Sequence, residues 1–174
     1  MDFYLQRALD AIDRETRGMT ARQLAWNRDG KWSTAQILEH LSLAYSSTSK
    51  LMERCVQQGH AQAKQASLRE RLITLTVVGI GYFPTGREAP EWTLPRGLDP
   101  DKVVTSIRAA LADMDAKIAA AQARFGARVV AVHPIIGPLT ARQWRKFHWV
   151  HTRHHMKQIR AIRAANSGKQ AANA

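Results

Sequence analysis

Apolar residues recur at alternating spacings of three and four in four separate stretches of the chain, a pattern typical of helices with one buried face. The first two stretches predict helices over residues 2–17 and 33–57. The third predicts a helix over residues 99–125, and the last predicts one over residues 140–165. The apolar positions that define them are, in chain order, Leu5, Leu9, Ile12, Ile37, Leu41, Ala44, Leu51, Cys55, Val104, Ile107, Leu111, Met114, Ile118, Ala121, Phe125, Trp144, Ile159 and Ile162.

Three sites along the chain carry a capping box, in which a Ser or Thr is followed three residues later by Gln and which marks a helix start. This pattern occurs at Thr20 and Gln23, at Ser33 and Gln36, and at Thr140 and Gln143. The third long helix starts differently, with Asp99 as the cap and Pro100 at the first helical position. Thr-Ala-Arg-Gln occurs twice, but the surrounding residues do not match, so the two copies mark helix starts and no duplication.

The segments between the long helices give weaker signals. Residues 58–99 are predicted as a long crossover, with a short, mostly buried helix over residues 68–78. Residues 126–138 are predicted as a packed loop, because strand signals are scarce, and residues 166–174 as a flexible polar tail. The fold class that follows is all-α: a four-helix bundle with a long crossover between the second and third long helices, forming a single domain over residues 1–165.

The composition is that of one globular domain, since 45% of the 174 residues are hydrophobic and 23% are charged. The longest apolar run, residues 72–83, is shorter than the roughly 20 residues of a membrane span, so we expect no membrane partner. The N-terminus lacks the basic and apolar regions of a signal peptide. Cys55 is the only cysteine, and no disulfide framework suggests export. These features predict a cytoplasmic protein.

Positive charge is concentrated towards the C-terminus. The net charge is +12, and no Asp or Glu follows Asp115. Such an asymmetry is compatible with a surface for nucleic acid or another anionic partner, and equally with a solvated basic helix face. Because no nucleic-acid-binding motif accompanies the charge, the sequence favours the solvated face.

Histidines form a stripe on the last predicted helix. At about 100° per residue, His148, His151 and His155 project on the same side as the apolar residues of this helix, and His154 lies at the edge of that side. The basic residues cluster on the opposite side, and we expect them to face outward: Arg142, Arg145, Lys146, Arg153, Lys157, Arg160 and Arg163. Imidazoles that face a core need partners for their nitrogens, because unsatisfied buried polar groups are costly.

A metal ion is one such partner. His151 and His155 lie one helical turn apart and could chelate a single ion; the alternative is two core histidines bonded to hydroxyl groups. His40, at the edge of the inward face of the second helix, is the natural third ligand, whereas His60 lies in a polar loop and is expected to be solvated. The pattern is not that of a zincin metalloprotease, because Thr152 stands where the glutamate would be.

Two further residues are candidates for catalysis. His148, one turn before His151, could be a fourth ligand, a base beside the metal or a buried neutral residue. Gln158 projects close to His151 and could orient a substrate; alternatively its amide could bond to a loop carbonyl. Cys55 is about 22 Å from His40 along the helix, too far to share its metal, and is interpreted as a core residue.

Two segments of the chain resemble the DinB-like superfamily. The first runs Gly30-Lys31-Trp32-Ser33-Thr34-Ala35-Gln36-Ile37-Leu38-Glu39-His40-Leu41, and the second comprises His133-Pro134, Gly137-Pro138-Leu139-Thr140, Gln143-Trp144, His151, His154-His155 and Gln158. The resemblance implies a four-helix bundle that is often dimeric. It also implies a divalent metal held by His40, His151 and His155. His133, Trp144 and Gln158 match the pattern, and the resemblance gives them no role.

Three neutral imidazoles would leave a divalent ion with its full charge and an open coordination position. The members of the superfamily whose function is understood are similar to thiol-dependent transferases and isomerases, and others are similar to metal-dependent hydrolases. The leading hypothesis is therefore a metal-dependent enzyme that activates a low-molecular-weight thiol or water for transfer to a small electrophile. Zinc and nickel are the foremost metals, while copper and iron also suit imidazoles. The alternative is a non-enzymatic metal-binding stress or binding protein whose basic surface meets an anionic partner.

Overall fold

The computed structural model describes residues 1–27, 30–61, 64–83, 86 and 88–172, with side chains as far as residue 166. Its secondary structure is mostly helical with one small sheet, which confirms the helical class predicted from the sequence. The elements in these residues are α1 (Phe3–Thr16), α2 (Ala21–Ala25), α3 (Thr34–Gln58), α4 (Leu68–Thr74), a π-helical turn (Leu75–Ile80), a 3-10 turn (Glu91–Thr93), α5 (Pro100–Phe125), β1 (Val129–His133), β2 (Gly137–Thr140) and α6 (Ala141–Ala172).

The capping patterns fix the helix starts as predicted. Ser33 at the start of α3 accepts the backbone N–H of Gln36, whose side chain in turn accepts the N–H of Ser33. The same reciprocal bonds join Thr20 to Gln23 before α2 and Thr140 to Gln143 before α6. Each pair satisfies N–H groups that a helix start leaves without partners.

The four long helices, α1, α3, α5 and α6, share one core. Helix α3 packs along α5, α1 packs along α6, and α6 also contacts α3 and α5. Most of the predicted inward side chains are almost completely buried: Leu5, Ile12, Ile37, Leu41, Ile107, Leu111, Met114, Ile118, Trp144 and Ile159. The predicted Leu9, Ala44, Leu51 and Val104 are only partly buried, and on α3 the neighbouring Tyr45 and Met52 are the buried residues. Cys55 lies in this core, as predicted. Burial of this apolar surface is the main force that holds α3 against α6, where the histidines lie.

The segment predicted as a packed loop is a β-hairpin. Strands β1 and β2 pair antiparallel, with Ala131 opposite Leu139 and His133 opposite Gly137, and a bulge near Val129. Gly137 begins β2 with a positive φ of 95°, a conformation that glycine adopts without strain. The prediction was wrong here because strands of five and four residues are too short for alternation to distinguish them from a buried loop.

The short crossover helix is not mostly buried, contrary to the prediction. Helix α4 has no buried residue, and Leu68 and Leu72 are 83% and 65% exposed. Only Val77 and Val78 of the following π-helical turn reach the core. The apolar run was interpreted as core, yet Leu72 lines a cavity between this segment and the long helices.

Helix α6 continues to Ala172, beyond the predicted end at residue 165. None of the helices in the described part of the chain is long and apolar enough to cross a membrane. The three histidines predicted to face inward are indeed buried: His148, His151 and His155. For these three histidines of α6, the helical wheel predicted burial correctly.

One member of the predicted outward basic cluster is buried. Arg145 is only 8% exposed and donates to the side chain of Gln122. Its guanidinium lies 3.6 Å from the carboxylate of Asp115 and 3.8 Å from that of Asp2, which compensates the buried charge. The prediction failed because a helical wheel places a residue around the axis but does not show where neighbouring helices cover it.

Candidate metal centre

Three buried imidazoles from two helices converge on one point. His40 comes from α3, and His151 and His155 come from successive turns of α6. The Nε2 atom of His151 lies 3.0 Å from Nε2 of His155 and 3.3 Å from Nε2 of His40. One nitrogen from each residue lies within 4.8 Å of the others, so the three could hold a metal ion. Nitrogens that bind one tetrahedral ion at about 2.0–2.1 Å lie roughly 3.3 Å apart, close to the spacing found here.

The outer nitrogens of two imidazoles fix their tautomers. Nδ1–H of His40 donates to the carbonyl oxygen of Thr93 over 2.9 Å, and Nδ1–H of His155 donates to Oε1 of Gln158 over 2.7 Å. Since carbonyl oxygens only accept, both histidines carry their proton on Nδ1. Their Nε2 atoms therefore present lone pairs to the centre of the cluster, as a metal ligand must.

The third imidazole provides the test of whether a cation fits. With its proton on Nε2, His151 has one N–H to serve two neighbouring lone pairs, those of His40 and His155. Its Nδ1 atom is buried without a hydrogen-bond partner among the described residues. Hydrogen bonds alone therefore leave at least one lone pair of the cluster unsatisfied. A cation between the three Nε2 atoms would accept one lone pair from each of them. The donor set fits a divalent ion.

Aromatic rings pack against the cluster and contribute to its burial. Trp32 lies 5.1 Å from the ring of His40, and Phe83 and Phe147 stack on His151 at 5.0 and 5.7 Å. Desolvation by this burial lowers the pKa of His40, lowers that of His151 well below its usual value, and lowers that of His155 to about 3. The imidazoles are thus neutral at pH 7, the protonation state in which histidine binds metals.

The loop that supplies the Thr93 carbonyl is held by a buried carboxylate. Glu39 accepts the backbone N–H groups of Arg96, Gly97 and Leu98 over 2.9, 3.1 and 3.0 Å. Sequence reasoning missed both residues. A buried Glu directly before His40 in an otherwise apolar helix turn is a signal that could have identified Glu39, whereas a backbone acceptor such as Thr93 leaves no signal in the sequence.

His148 lies outside the group of possible ligands. Its Nε2 atom is 3.0 Å from the hydroxyl of Thr48, and its ring stacks on Trp144. Burial lowers the pKa of His148 to about 3. Of the three alternatives that the sequence left open, these contacts are those of a buried neutral residue.

Gln158 makes contacts that neither alternative for it included. Its Oε1 atom accepts from His155, as described above, and its Nε2 amide lies 3.3 Å from Nε2 of His154. His154, at the edge of the helix face, is half-buried beside Phe83. His60 is exposed, in agreement with the sequence prediction. Gln158 thus contacts the outer side of a possible ligand, opposite the three converging nitrogens.

A large cavity adjoins the three histidines. Its volume is about 1040 Å³, enough for an organic molecule of moderate size. The wall is mainly aromatic and aliphatic, with histidine nitrogens at one side. The lining residues include Trp32, Leu51, Leu72, Phe83, Trp92, Ile136, Trp144 and Phe147. The site therefore combines possible metal ligands with an apolar space for a second molecule.

The family that is described as Protein of unknown function (DUF1569) matches residues 4–161, and the chain belongs to this family. The matched region includes all three converging histidines and the hairpin before α6. Neither the curated proteins nor the solved structures gave a significant match to the chain.

Proposed function

We propose that the protein binds one divalent metal ion through His40, His151 and His155. The observation that carries this proposal is the orientation of two lone pairs: Thr93 and Gln158 hold the Nε2 atoms of His40 and His155 towards the third imidazole. Preserving this arrangement in a buried site has a cost in desolvation, and a bound cation offsets it.

The proposed activity is that of a metal-dependent enzyme which activates a low-molecular-weight thiol or water for transfer to a small electrophile. When bound, a divalent ion at three neutral ligands supplies a Lewis acid that lowers the pKa of a thiol or of water. The protein contributes the rest: Phe83 and Phe147 exclude bulk water, and the cavity holds the electrophile beside His151. Zinc and nickel are the metals that we propose first, since imidazole ligands suit both.

We further propose that the fold is a four-helix bundle of DinB-like type, with a single domain over residues 1–165 and a tail over residues 166–174. The order of the four long helices, with the crossover between α3 and α5, supports this assignment. By the same resemblance we propose a homodimer. A cytoplasmic location without membrane or nucleic-acid partners belongs to the same proposal.

The contacts of the basic residues favour an enzyme over a protein with an anionic partner. Arg145 is buried, Lys146 and Arg153 donate to the carbonyl oxygens of Gly79 and Gly81, and Arg163 donates to that of Glu15. Several members of the basic cluster therefore serve to attach α6 to its neighbours, while the large cavity is available to a small molecule.

The first test is the metal content of the purified protein and of single variants. We expect about one equivalent of divalent metal in the wild type and a loss of stoichiometric metal in His151→Ala and His155→Ala, since each removes one of three ligands. His60→Ala is the matched control, because His60 is an exposed histidine of the same chain. Full metal content in both ligand variants would contradict the site.

The second test is activity. Thiol-dependent conversion of small electrophiles is screened with metal-loaded protein and with protein treated with a chelator. Loss of turnover after chelation and its return with metal would support the enzyme. A protein that binds stoichiometric metal and turns over none of the thiol or hydrolysis substrates would instead favour the non-enzymatic metal-binding alternative.

A further inference from the structure

We propose that His133 binds the substrate, through an Nε2–H group that donates a hydrogen bond to a neutral carbonyl oxygen inside the cavity. The substrate class that follows is an apolar molecule with a ketone, ester or amide group. This inference rests on the proposed function in so far as the bound molecule is the substrate of the same site. Binding itself needs only the cavity and His133.

The hairpin turn fixes the tautomer of His133. The backbone N–H groups of Ile135 and Ile136 both donate to Nδ1 of His133 over 3.2 Å. Since Nδ1 accepts, the proton of the neutral ring resides on Nε2. Desolvation lowers the pKa of His133 to about 4, so the ring is neutral at pH 7 and acts as a hydrogen-bond donor through Nε2.

The position of the ring directs this donor to the cavity. His133 lines the cavity and packs against Phe147 and Trp144, with ring centroids 4.6 and 5.4 Å apart. Nε2 of His133 has no hydrogen-bond partner among the described residues. The buried unpartnered atoms of those residues do not include it, so this nitrogen is accessible from the cavity. Phe147 also stacks on His151, so a single aromatic ring separates the donor from the possible metal ligands.

The surroundings of His133 select a neutral acceptor. Phe147, Trp144 and Ile136 provide apolar surface beside it, and the charged residues that line the cavity, Arg54 and Glu88, are exposed. Burying a carboxylate without a paired cation costs far more than burying a carbonyl that accepts one hydrogen bond. A carbonyl group held by His133 would lie in the same cavity as the three converging histidines, with the ring of Phe147 between His133 and His151.

The test compares three probes that share a benzene ring: acetophenone, in which a carbonyl follows the ring, ethylbenzene, in which a methylene replaces it, and benzoate. Binding to the full chain is followed by the NMR shifts of the indole N–H groups of Trp32 and Trp92, which line the cavity. We expect wild-type protein to bind acetophenone more tightly than ethylbenzene or benzoate. The order must persist in a chelator, which excludes coordination of the ketone by a metal.

The decisive variant is His133→Asn. Oδ1 of asparagine stands about where Nδ1 stood and can still accept from Ile135 and Ile136, while the donor at the Nε2 position is lost. We expect acetophenone to bind about 3- to 10-fold more weakly, as for the loss of one hydrogen bond, and ethylbenzene to bind as before. His60→Asn is the control and leaves both affinities unchanged.

Three results would overturn the proposal. The first is that acetophenone binds to the wild type no more tightly than ethylbenzene does. The second is that His133→Asn loses the same affinity for both probes. The third is preferred binding of benzoate, which indicates an anion site. As an independent measurement, the nitrogen shifts of His133 in the wild type must show protonated Nε2 and bare Nδ1. All these readouts remain valid if the protein binds no metal.

Discussion

Two imidazoles of the proposed metal site, His40 and His155, are each oriented by the atom that the other ring nitrogen contacts. His40 relies on a backbone carbonyl, that of Thr93, which substitution of the side chain does not remove. His155 relies on a side chain, Gln158, which is exposed and can be replaced without opening the core. We therefore propose that Gln158 positions His155, because its Oε1 atom contacts the outer nitrogen of that ring.

Replacing Gln158 with alanine should weaken metal binding. The variant leaves Nδ1 of His155 without its acceptor, and loss of such a partner typically costs about 10- to 100-fold in metal affinity. Gln158→Glu should retain wild-type affinity or exceed it, because a carboxylate is also an acceptor. Competition with a chromophoric zinc chelator measures these affinities. Lys157→Ala, at a neighbouring exposed position, is the control, and equal affinity in Gln158→Ala and Lys157→Ala would contradict the assigned role.

The predictability of the site differs from residue to residue. Helical spacing placed His151 and His155 on the inward face of the last helix and His40 at the edge of the inward face of the second, and the family resemblance implied the same three residues. The sequence could not reveal Thr93, because a carbonyl acceptor can be provided by any residue type. Nor could it assign Gln158, since an amide at that spacing can contact either a histidine on its own helix or a loop.

At the scale of elements, the centre depends on the attachment of a loop to α3. Residues 94–99 connect the 3-10 turn of Thr93 to α5. Glu39 holds this connection by accepting three backbone N–H groups, and it lies next to His40 on α3. A single buried carboxylate therefore couples the position of the Thr93 carbonyl to that of His40, the first of the proposed ligands.

Substitution Glu39→Ala should reduce both stability and metal affinity. Three backbone N–H groups lose the buried side chain that accepts from them, so we expect unfolding to become easier by roughly 2–4 kcal/mol and zinc to bind at least about 10-fold more weakly. Urea unfolding and chelator competition measure the two effects. Glu53→Ala, on the same helix, is the control, because its contact with Lys117 is solvated and contributes little to stability. Reduced stability with unchanged zinc affinity would mean that the loop does not position His40.

Elements were predictable from the sequence where several signals agreed. Helix α5 combines a capped start at Asp99, seven apolar positions in register and Gly126 at its end, and its bounds agree with the prediction. The β1–β2 hairpin offers a few β-branched residues over two short strands, so periodicity could not identify it. In α4 the apolar residues were recognised, but Leu72 faces the cavity and Leu68 faces solvent, and these positions are properties of the tertiary structure.

At the scale of the whole molecule, several of the C-terminal basic residues contact the first helix or its start. Arg160 lies 3.3 Å from the carboxylate of Glu15, and Arg163 donates to the Glu15 backbone carbonyl. Arg145 is enclosed near Asp2 and Asp115. The C-terminal basic residues thus stabilise the contact between α1 and α6, which itself keeps the histidine face of α6 directed to the core.

Burial of neutral histidines makes the stability of the whole chain dependent on pH. The pKa values of His133, His148 and His155 are lowered to about 4, 3 and 3, whereas an unfolded chain has values near 6.5. Between pH 6.5 and about 4 the unfolded state therefore binds more protons than the folded state. Stability is highest above pH 6.5 and falls as the pH is lowered through this range.

We expect each of these histidines to contribute a loss of about 1.4 kcal/mol per pH unit in chelator-treated protein below pH 6.5. Urea unfolding at pH 7.5, 6.0 and 5.0 measures the loss. In His148→Phe one titrating group is absent, so the decrease between pH 6.0 and 5.0 should be smaller by about the contribution of one histidine, whatever the variant does to stability at pH 7.5. His60→Phe, at an exposed position, should leave the decrease unchanged. A wild-type stability that stays constant down to pH 5.0, or an undiminished decrease in His148→Phe, would show that these imidazoles are not held neutral by the fold.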